Sequence, residues 1–191
     1  MARPLVFDFG TRDSGLGTRE KQPNQELPAV TSPKPRAPHF QDMSEHKATV
    51  RWSRAGKDFA YKSYSRDHTW RFENGVEVPA SATPSYLGNP QRVDPEAALV
   101  AALSSCHMLT FLALASNKGF VVESYEDAAV GHLEKNAAGK MAITRVELRP
   151  KIAFGGSKQP TAADLDWLHD KAHKECFIAN SVTTDVRVVT E

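Results

Sequence analysis

The stretch Asp94-Pro-Glu-Ala-Ala-Leu-Val-Ala-Ala-Leu-Ser-Ser-Cys-His-Met-Leu-Thr-Phe-Leu-Ala-Leu-Ala-Ser-Asn-Lys-Gly119 decides the fold of this chain. Asp94 and Pro95 are typical of a helix start, and Lys118 followed by Gly119 is typical of a helix end. Residues 97–117 carry no formally charged side chain. Because a helix that is apolar nearly all round has to be buried, we predict a long core helix over this stretch.

Length and composition limit the class of protein. The 191 residues suffice for one domain, and 24 basic against 23 acidic residues give a net charge of +1. This balance argues against a nucleic-acid partner. Two cysteines cannot form a disulfide framework, so we expect a cytoplasmic protein. The apolar stretch is long enough to span a bilayer, but serine, threonine and alanine dilute it, so we expect no membrane association.

The first 42 residues differ from the rest of the chain. They contain six of the twelve prolines and few large apolar residues, so they cannot bury enough surface to become ordered. We predict a flexible extension over residues 1–42 and a folded domain over residues 43–191. Met43 is an alternative translation start, which would leave residues 1–42 untranslated.

Alternating apolar and polar residues predict strands on both sides of the helix. The predicted elements are a hairpin over residues 49–53 and 59–63, a third strand over 69–72 that turns into 76–78, a hairpin of 125–135 with 141–154, a helix behind Pro160, and a strand over 182–188. Thr161 followed by Asp164 indicates a capping box at the start of that second helix. Strands and helices are segregated, which favours an α+β fold.

The two cysteines are the candidate reactive groups. Cys106 falls in the middle of the long helix, and Cys176 falls on the apolar side of the second helix. They are either two small buried hydrophobic residues or a reactive thiol and its resolving partner. Cys106 is far from the helix N-terminus, so a reactive thiolate at this position would need a nearby cation.

Glu96 is the acidic residue nearest to Cys106 on the long helix. It precedes Cys106 by ten residues, which is about 15 Å along an unbroken helix. Glu96 can therefore assist Cys106 only from a second copy of the chain, unless the helix is broken. An apolar helix that one chain cannot cover points the same way, and both features favour a homodimer.

Three motifs resemble the OsmC/Ohr family, in an atypical subgroup. They are Asp94-Pro-Glu96, the ten-residue step to Ala-Leu-Ser-Ser-Cys106-His, and Glu175-Cys176-Phe-Ile-Ala-Asn-Ser181 before the terminal strand. The resemblance covers about residues 46–190. It implies an α+β fold in which a long central helix is wrapped by antiparallel sheets in an intertwined homodimer.

The resemblance also implies an activity, which is reduction of organic and inorganic hydroperoxides in oxidative stress defence. Cys106 would be the peroxidatic nucleophile, Cys176 the resolving thiol, and Glu96 the acid that orients an arginine. Arg66 is our choice for that arginine, with Arg71 and Arg92 as alternatives. An external dithiol would be the reductant, and no bound cofactor is expected. Apolar residues near the cysteines would favour organic peroxides, namely Met108, Leu109, Phe111, Leu112 and Phe177.

Two alternative functions fit the same residues. His169, His173 and Cys176 follow helical spacing and could bind a metal, which would make the protein a non-catalytic dimer that holds a metal or small ligand. The second alternative is a redox sensor that forms the same disulfide and signals through a partner.

Overall fold

The computed structural model describes residues 44–56 and 58–189, so the predicted extension over residues 1–42 lies outside the described residues. The element order confirms an α+β fold. The elements are strands β1 Ala48–Arg51, β2 His68–Phe72 and β3 Glu77–Ala80, helix α1 Pro95–Asn117, strands β4 Val121–Asp127, β5 Val130–Lys135, β6 Met141–Leu148 and β7 Pro150–Gly155, helix α2 Ala162–Glu175 and strand β8 Asp185–Val188.

Helix α1 starts and ends where the sequence predicts. The Asp94 side chain accepts a hydrogen bond from the Ala97 backbone N–H at 2.8 Å, and Gly119 takes a left-handed φ of 75°. The length and composition of α1 alone would allow this helix to cross a membrane. In the structure α1 packs against α2 and the strands β4, β5 and β6, so it is the central helix of the fold.

The N-terminal sheet differs from its prediction. Strand β1 pairs with β2 rather than with residues 59–63, and β2 pairs with β3 through the predicted turn. Residues 60–64 form a turn in which the Tyr64 N–H donates to the Ala60 carbonyl at 2.9 Å. Trp52, Phe59 and Tyr64 pack with ring centroids 5.3–6.4 Å apart. The aromatic residues that suggested a strand therefore belong to a side-chain cluster.

Strands β4 to β7 form one long hairpin that is bent in the middle. The inner pair β5–β6 closes around Asn136, whose side-chain oxygen accepts from the backbone N–H of Ala138 and Lys140 at 3.0 Å. The outer pair β4–β7 continues beyond the bend as a two-stranded sheet, which places Pro150 on an edge as predicted. At the bend, Asp127 accepts from the Arg149 N–H at 2.6 Å.

The C-terminal part completes the core. Thr161 and Asp164 form the predicted capping box at the start of α2. Strand β8 then pairs with β6 in parallel, so this sheet is mixed rather than wholly antiparallel. Leu103 of α1 packs with Val146 and Leu148 of β6 in a core that excludes solvent completely.

Leu103→Ala should destabilise the fold by about 2–5 kcal/mol, because it removes a fully buried side chain and leaves a cavity between α1 and β6. Chemical denaturation followed by circular dichroism measures the free energy of unfolding. Met141→Ala is the control, since that side chain is half-exposed at the start of β6 and should cost much less. Equal losses in the two variants would contradict this core.

Candidate active site

The packing of α2 on α1 brings the two cysteines together. Cys106 is partly buried on α1, and the Cys176 residue is 1% exposed just after α2. Both are free thiols, and Cys106 lies close enough to Cys176 to raise the pKa of its thiol. Cys176 is the residue that ends α2, with an extended backbone, rather than a member of the helix as predicted. Two sulfurs that are 70 residues apart in the sequence are therefore neighbours.

The surroundings of Cys176 favour its neutral form. Burial raises the pKa of this thiol to about 11, and the nearby Cys106 acts in the same direction. The Ala179 N–H donates to the sulfur at 3.4 Å and opposes the shift. Cys176 is thus a thiol rather than a thiolate at neutral pH, which suits a group that attacks a sulfenic acid second rather than a peroxide first.

Local hydrogen bonds hold Cys176 in place. The Asn180 side chain donates to the carbonyl of Lys174 at 2.9 Å and to that of Cys176 at 3.1 Å. The Asn180 backbone N–H donates to the same Cys176 carbonyl at 3.0 Å. The short turn after α2 is therefore tied to the end of the helix, and Cys176 moves with α2.

Glu96 lies in the first turn of α1, far along the helix from Cys106. One of its carboxylate oxygens, Oε2, is buried and has no hydrogen-bond partner in the described part of the chain. Glu96 lines a cavity of about 620 Å³ together with Arg66. The aromatic walls of this cavity are Trp52, Phe59, Tyr64 and Tyr86. Within one chain, Glu96 and Arg66 share a site that does not include the two sulfurs.

Arg66 is held by its own loop. Its guanidinium donates to the carbonyls of Tyr61 and Tyr64 and lies 3.8 Å from the centre of the Tyr64 ring. Across residues 44–56 and 58–189, no ion pair joins it to Glu96. The two alternative arginines are engaged elsewhere, namely Arg71 with Glu77 at 3.8 Å and Arg92 with Asp67 at 3.2 Å.

A buried histidine pair lies beside the cysteines, and sequence analysis missed it. His107 is 1% exposed, and its Nε2 lies 3.1 Å from Nδ1 of His169 on α2. One imidazole donates this hydrogen bond and the other accepts it. The only local signal for a buried histidine is helical spacing with apolar residues of the same helix face, namely Leu103, Phe111 and Leu114.

The residues proposed as metal ligands point in different directions. His169 faces inward to His107, whereas His173 is exposed, and Cys176 lies beyond the helix. Among the residues that the structure describes, no three His, Cys, Asp or Glu side chains gather to bind a metal.

The apolar pocket predicted near the cysteines is only partly formed, because Phe111 is fully buried while Leu109 is exposed.

Comparison with known proteins defines the family. Residues 88–191 match the model of the family described as OsmC-like protein. The chain belongs to the OsmC-like family. A solved OsmC-like protein of unknown function from Vibrio cholerae is similar to it, with 49% identity and a TM-score of 0.75 over 78% of this chain and 100% of that one.

More distant solved structures share the fold of this OsmC-like protein. An organic hydroperoxide resistance protein from Elizabethkingia anophelis has 17% identity and a TM-score of 0.61, covering 80% of this chain and 99% of that one. The organic hydroperoxide resistance protein OhrB of Bacillus subtilis has 15% identity and a TM-score of 0.54, covering 78% and 98%. The comparison with curated proteins found no match.

The buried histidine should make folding stability depend on pH. Burial lowers the pKa of His107 to about 4, and nearby His169 and His173 act in the same direction. The unfolded chain, in which a histidine pKa is near 6.5, therefore takes up a proton between about pH 6.5 and 4 that the folded chain refuses. This contribution is fully present above pH 6.5 and is lost as the pH falls through that window.

We expect the free energy of unfolding to fall between pH 7 and 4.5 more steeply in the wild type than in His107→Gln. Urea denaturation at a series of pH values measures the two slopes. Exposed His46, ahead of β1 and not among the groups that lower the His107 pKa, provides the control, because His46→Gln should follow the wild type closely. Parallel curves for the wild type and His107→Gln would show that His107 is not the group that titrates.

Proposed function

We propose that this OsmC-like protein is a thiol-dependent peroxidase that reduces organic and inorganic hydroperoxides. The observation that carries the proposal is the pair of neighbouring free sulfurs, one partly exposed at Cys106 and one buried at Cys176. Two of the solved structures that share the fold are named organic hydroperoxide resistance proteins, which supports the same chemistry.

The proposed reaction has three balanced steps. The Cys106 thiolate attacks one peroxide oxygen of ROOH, the O–O bond breaks, and the RO⁻ that leaves takes a proton to become ROH while Cys106 becomes a sulfenic acid. The Cys176 thiol then attacks that sulfur, and a disulfide and one water molecule are formed. An external dithiol reduces the disulfide, regenerates both thiols and is itself oxidised to a disulfide.

A second copy of the chain would complete the site. A single copy leaves large apolar side chains exposed, including Val50 at 64%, Trp52 at 44% and Leu109 at 61%. Such surfaces are typical of protein interfaces. We propose a homodimer in which Glu96 and Arg66 of one copy act on Cys106 of the other, since about 15 Å of helix separates Glu96 from Cys106 within one chain.

The setting proposed for this reaction is the cytoplasm, in defence against oxidative stress. A cell interior supplies the dithiol reductants that the third step consumes, and the cysteines are unpaired there. Neither nucleic acid nor membrane is part of this proposal.

The redox-sensor alternative uses the same disulfide but does not need rapid turnover. Repeated cycles with dithiothreitol and an alkyl hydroperoxide would therefore separate a sensor from a peroxidase.

The two cysteine variants should fail at different steps. In stopped-flow mixing with an alkyl hydroperoxide, Cys106→Ser should consume no peroxide, because it lacks the nucleophile. Cys176→Ser should consume one equivalent and accumulate a sulfenic acid that a dimedone probe labels. Mass spectrometry without reductant should find the Cys106–Cys176 disulfide in the wild type alone. Undiminished peroxide reduction by Cys106→Ser would remove the nucleophile assignment.

Mixing two inactive variants tests whether a site is shared between copies. Cys106→Ser and Glu96→Gln should each have low activity when alone. After subunit exchange, a mixed dimer carries both lesions in one site and none in the other, so an equal mixture should recover about a quarter of wild-type activity. A site built within one chain predicts no recovery. Mixing Cys106→Ser with Cys106→Ala is the control, because no site is then intact.

A further inference from the structure

The His107–His169 hydrogen bond has no part in the proposed chemistry, yet it joins the two helices that carry the sulfurs. His107 directly follows Cys106 on α1. His169 precedes Cys176 by seven residues, which is two turns or about 10.5 Å of α2. The histidine pair and the two cysteines therefore lie at the same junction of α1 and α2.

Buried apolar residues flank this polar pair along both helices. Leu103 and Phe111 flank His107 on α1, and Leu168 and Ala172 flank His169 on α2, all without exposed surface. An apolar side chain at either histidine position would continue the apolar face of its helix. Burial of a polar ring costs free energy unless its nitrogens are hydrogen-bonded, so a specific geometry is needed to keep the pair stable.

The hydrogen bond supplies what apolar packing lacks, which is a fixed position along the helix axis. Burial of apolar surface is not directional, and small residues such as Ala172 allow one helix to slide on another. A shift of α2 by one turn, about 5.4 Å, would leave two buried ring nitrogens without a partner. The histidine pair therefore raises the free energy of each shifted position of α2 that the apolar residues alone would allow.

The position of α2 decides whether a disulfide can form. Cys176 is tied to the end of α2 through its N–H to the His173 carbonyl at 3.4 Å and through the Asn180 side chain. A disulfide needs the two Cα atoms within about 4.4–6.8 Å of each other. A displacement of α2 by one turn moves Cys176 by a similar distance, which is enough to prevent the bond.

We propose that the His107–His169 hydrogen bond fixes the position of α2 on α1 and so holds Cys176 within bonding distance of Cys106. The two histidines are positioning residues for the disulfide step, not for the attack on peroxide. This inference rests on the proposed function for the sulfenic acid that starts the step. The distance between the thiols is independent of how they are oxidised.

The test separates the two steps in a matched set of variants. His107→Leu removes the hydrogen bond, and the double variant with His169→Leu removes it without leaving an unsatisfied nitrogen. His107→Gln is the conservative variant, because a glutamine amide reaches the position of Nε2. His173→Gln is the control on the exposed side of α2. Circular dichroism and thermal unfolding confirm that each variant is folded.

Dimedone labelling in a Cys176→Ser background measures sulfenic acid formation, which should be the same in all variants. Disulfide formation after peroxide should slow by about tenfold or more in His107→Leu and in the double variant, as expected for loss of a buried hydrogen bond. His107→Gln should recover most of the rate, and His173→Gln should equal the wild type. Recovery by glutamine distinguishes positioning from a general loss of stability.

Diamide provides an arm that does not depend on peroxidase activity, because it oxidises two neighbouring thiols to a disulfide and is itself reduced to a hydrazine. The same order of rates is expected with diamide. If that order holds but peroxide gives no sulfenic acid at Cys106, the positioning role stands and the peroxidase proposal fails. Equal diamide rates in the wild type and both leucine variants would overturn the positioning role, as would equal slowing in His107→Gln and His107→Leu.

Discussion

The burial of one face of α1 against α2 is the constraint on which the candidate site depends. Almost no surface is exposed at Phe111 and Leu114 on α1 or at Leu168 and Ala172 on α2. Because burial of apolar surface is the main force that holds the two helices together, it determines which distant residues meet between them. The proximity of the two sulfurs is a consequence of this packing and needs no covalent link in the reduced protein.

The same interface gives the two sulfurs different chemical environments. Cys176 is enclosed at the end of α2, where burial keeps its thiol protonated, whereas Cys106 stays partly accessible. A peroxide has to reach the sulfur that it oxidises, but the resolving sulfur has only to reach its neighbour. The difference in exposure therefore favours the order of roles that the family resemblance implies, with Cys106 first and Cys176 second.

A single copy of the chain leaves one side of this arrangement incomplete. Glu96 has a buried carboxylate oxygen without a partner, Arg66 is bound to backbone carbonyls, and neither residue reaches Cys106. The exposed side chains of Leu109 and Val50 show that α1 and β1 also leave apolar surface open to solvent. One contact between two copies would bury the apolar surface and bring the missing charges to each sulfur, which is why the dimer belongs to the proposed function.

The sequence by itself determined the local features of this protein, because each depends on neighbouring residues. Asp94 and Thr161 start the two helices, and three short motifs identified the family and both cysteines. The strand predicted over residues 59–63 was wrong because aromatic residues suit a side-chain cluster as well as a sheet. Only the tertiary structure decided that the two sulfurs are neighbours and that His107 meets His169. Such contacts join residues on separate helices, and no local pattern records which side chains face each other.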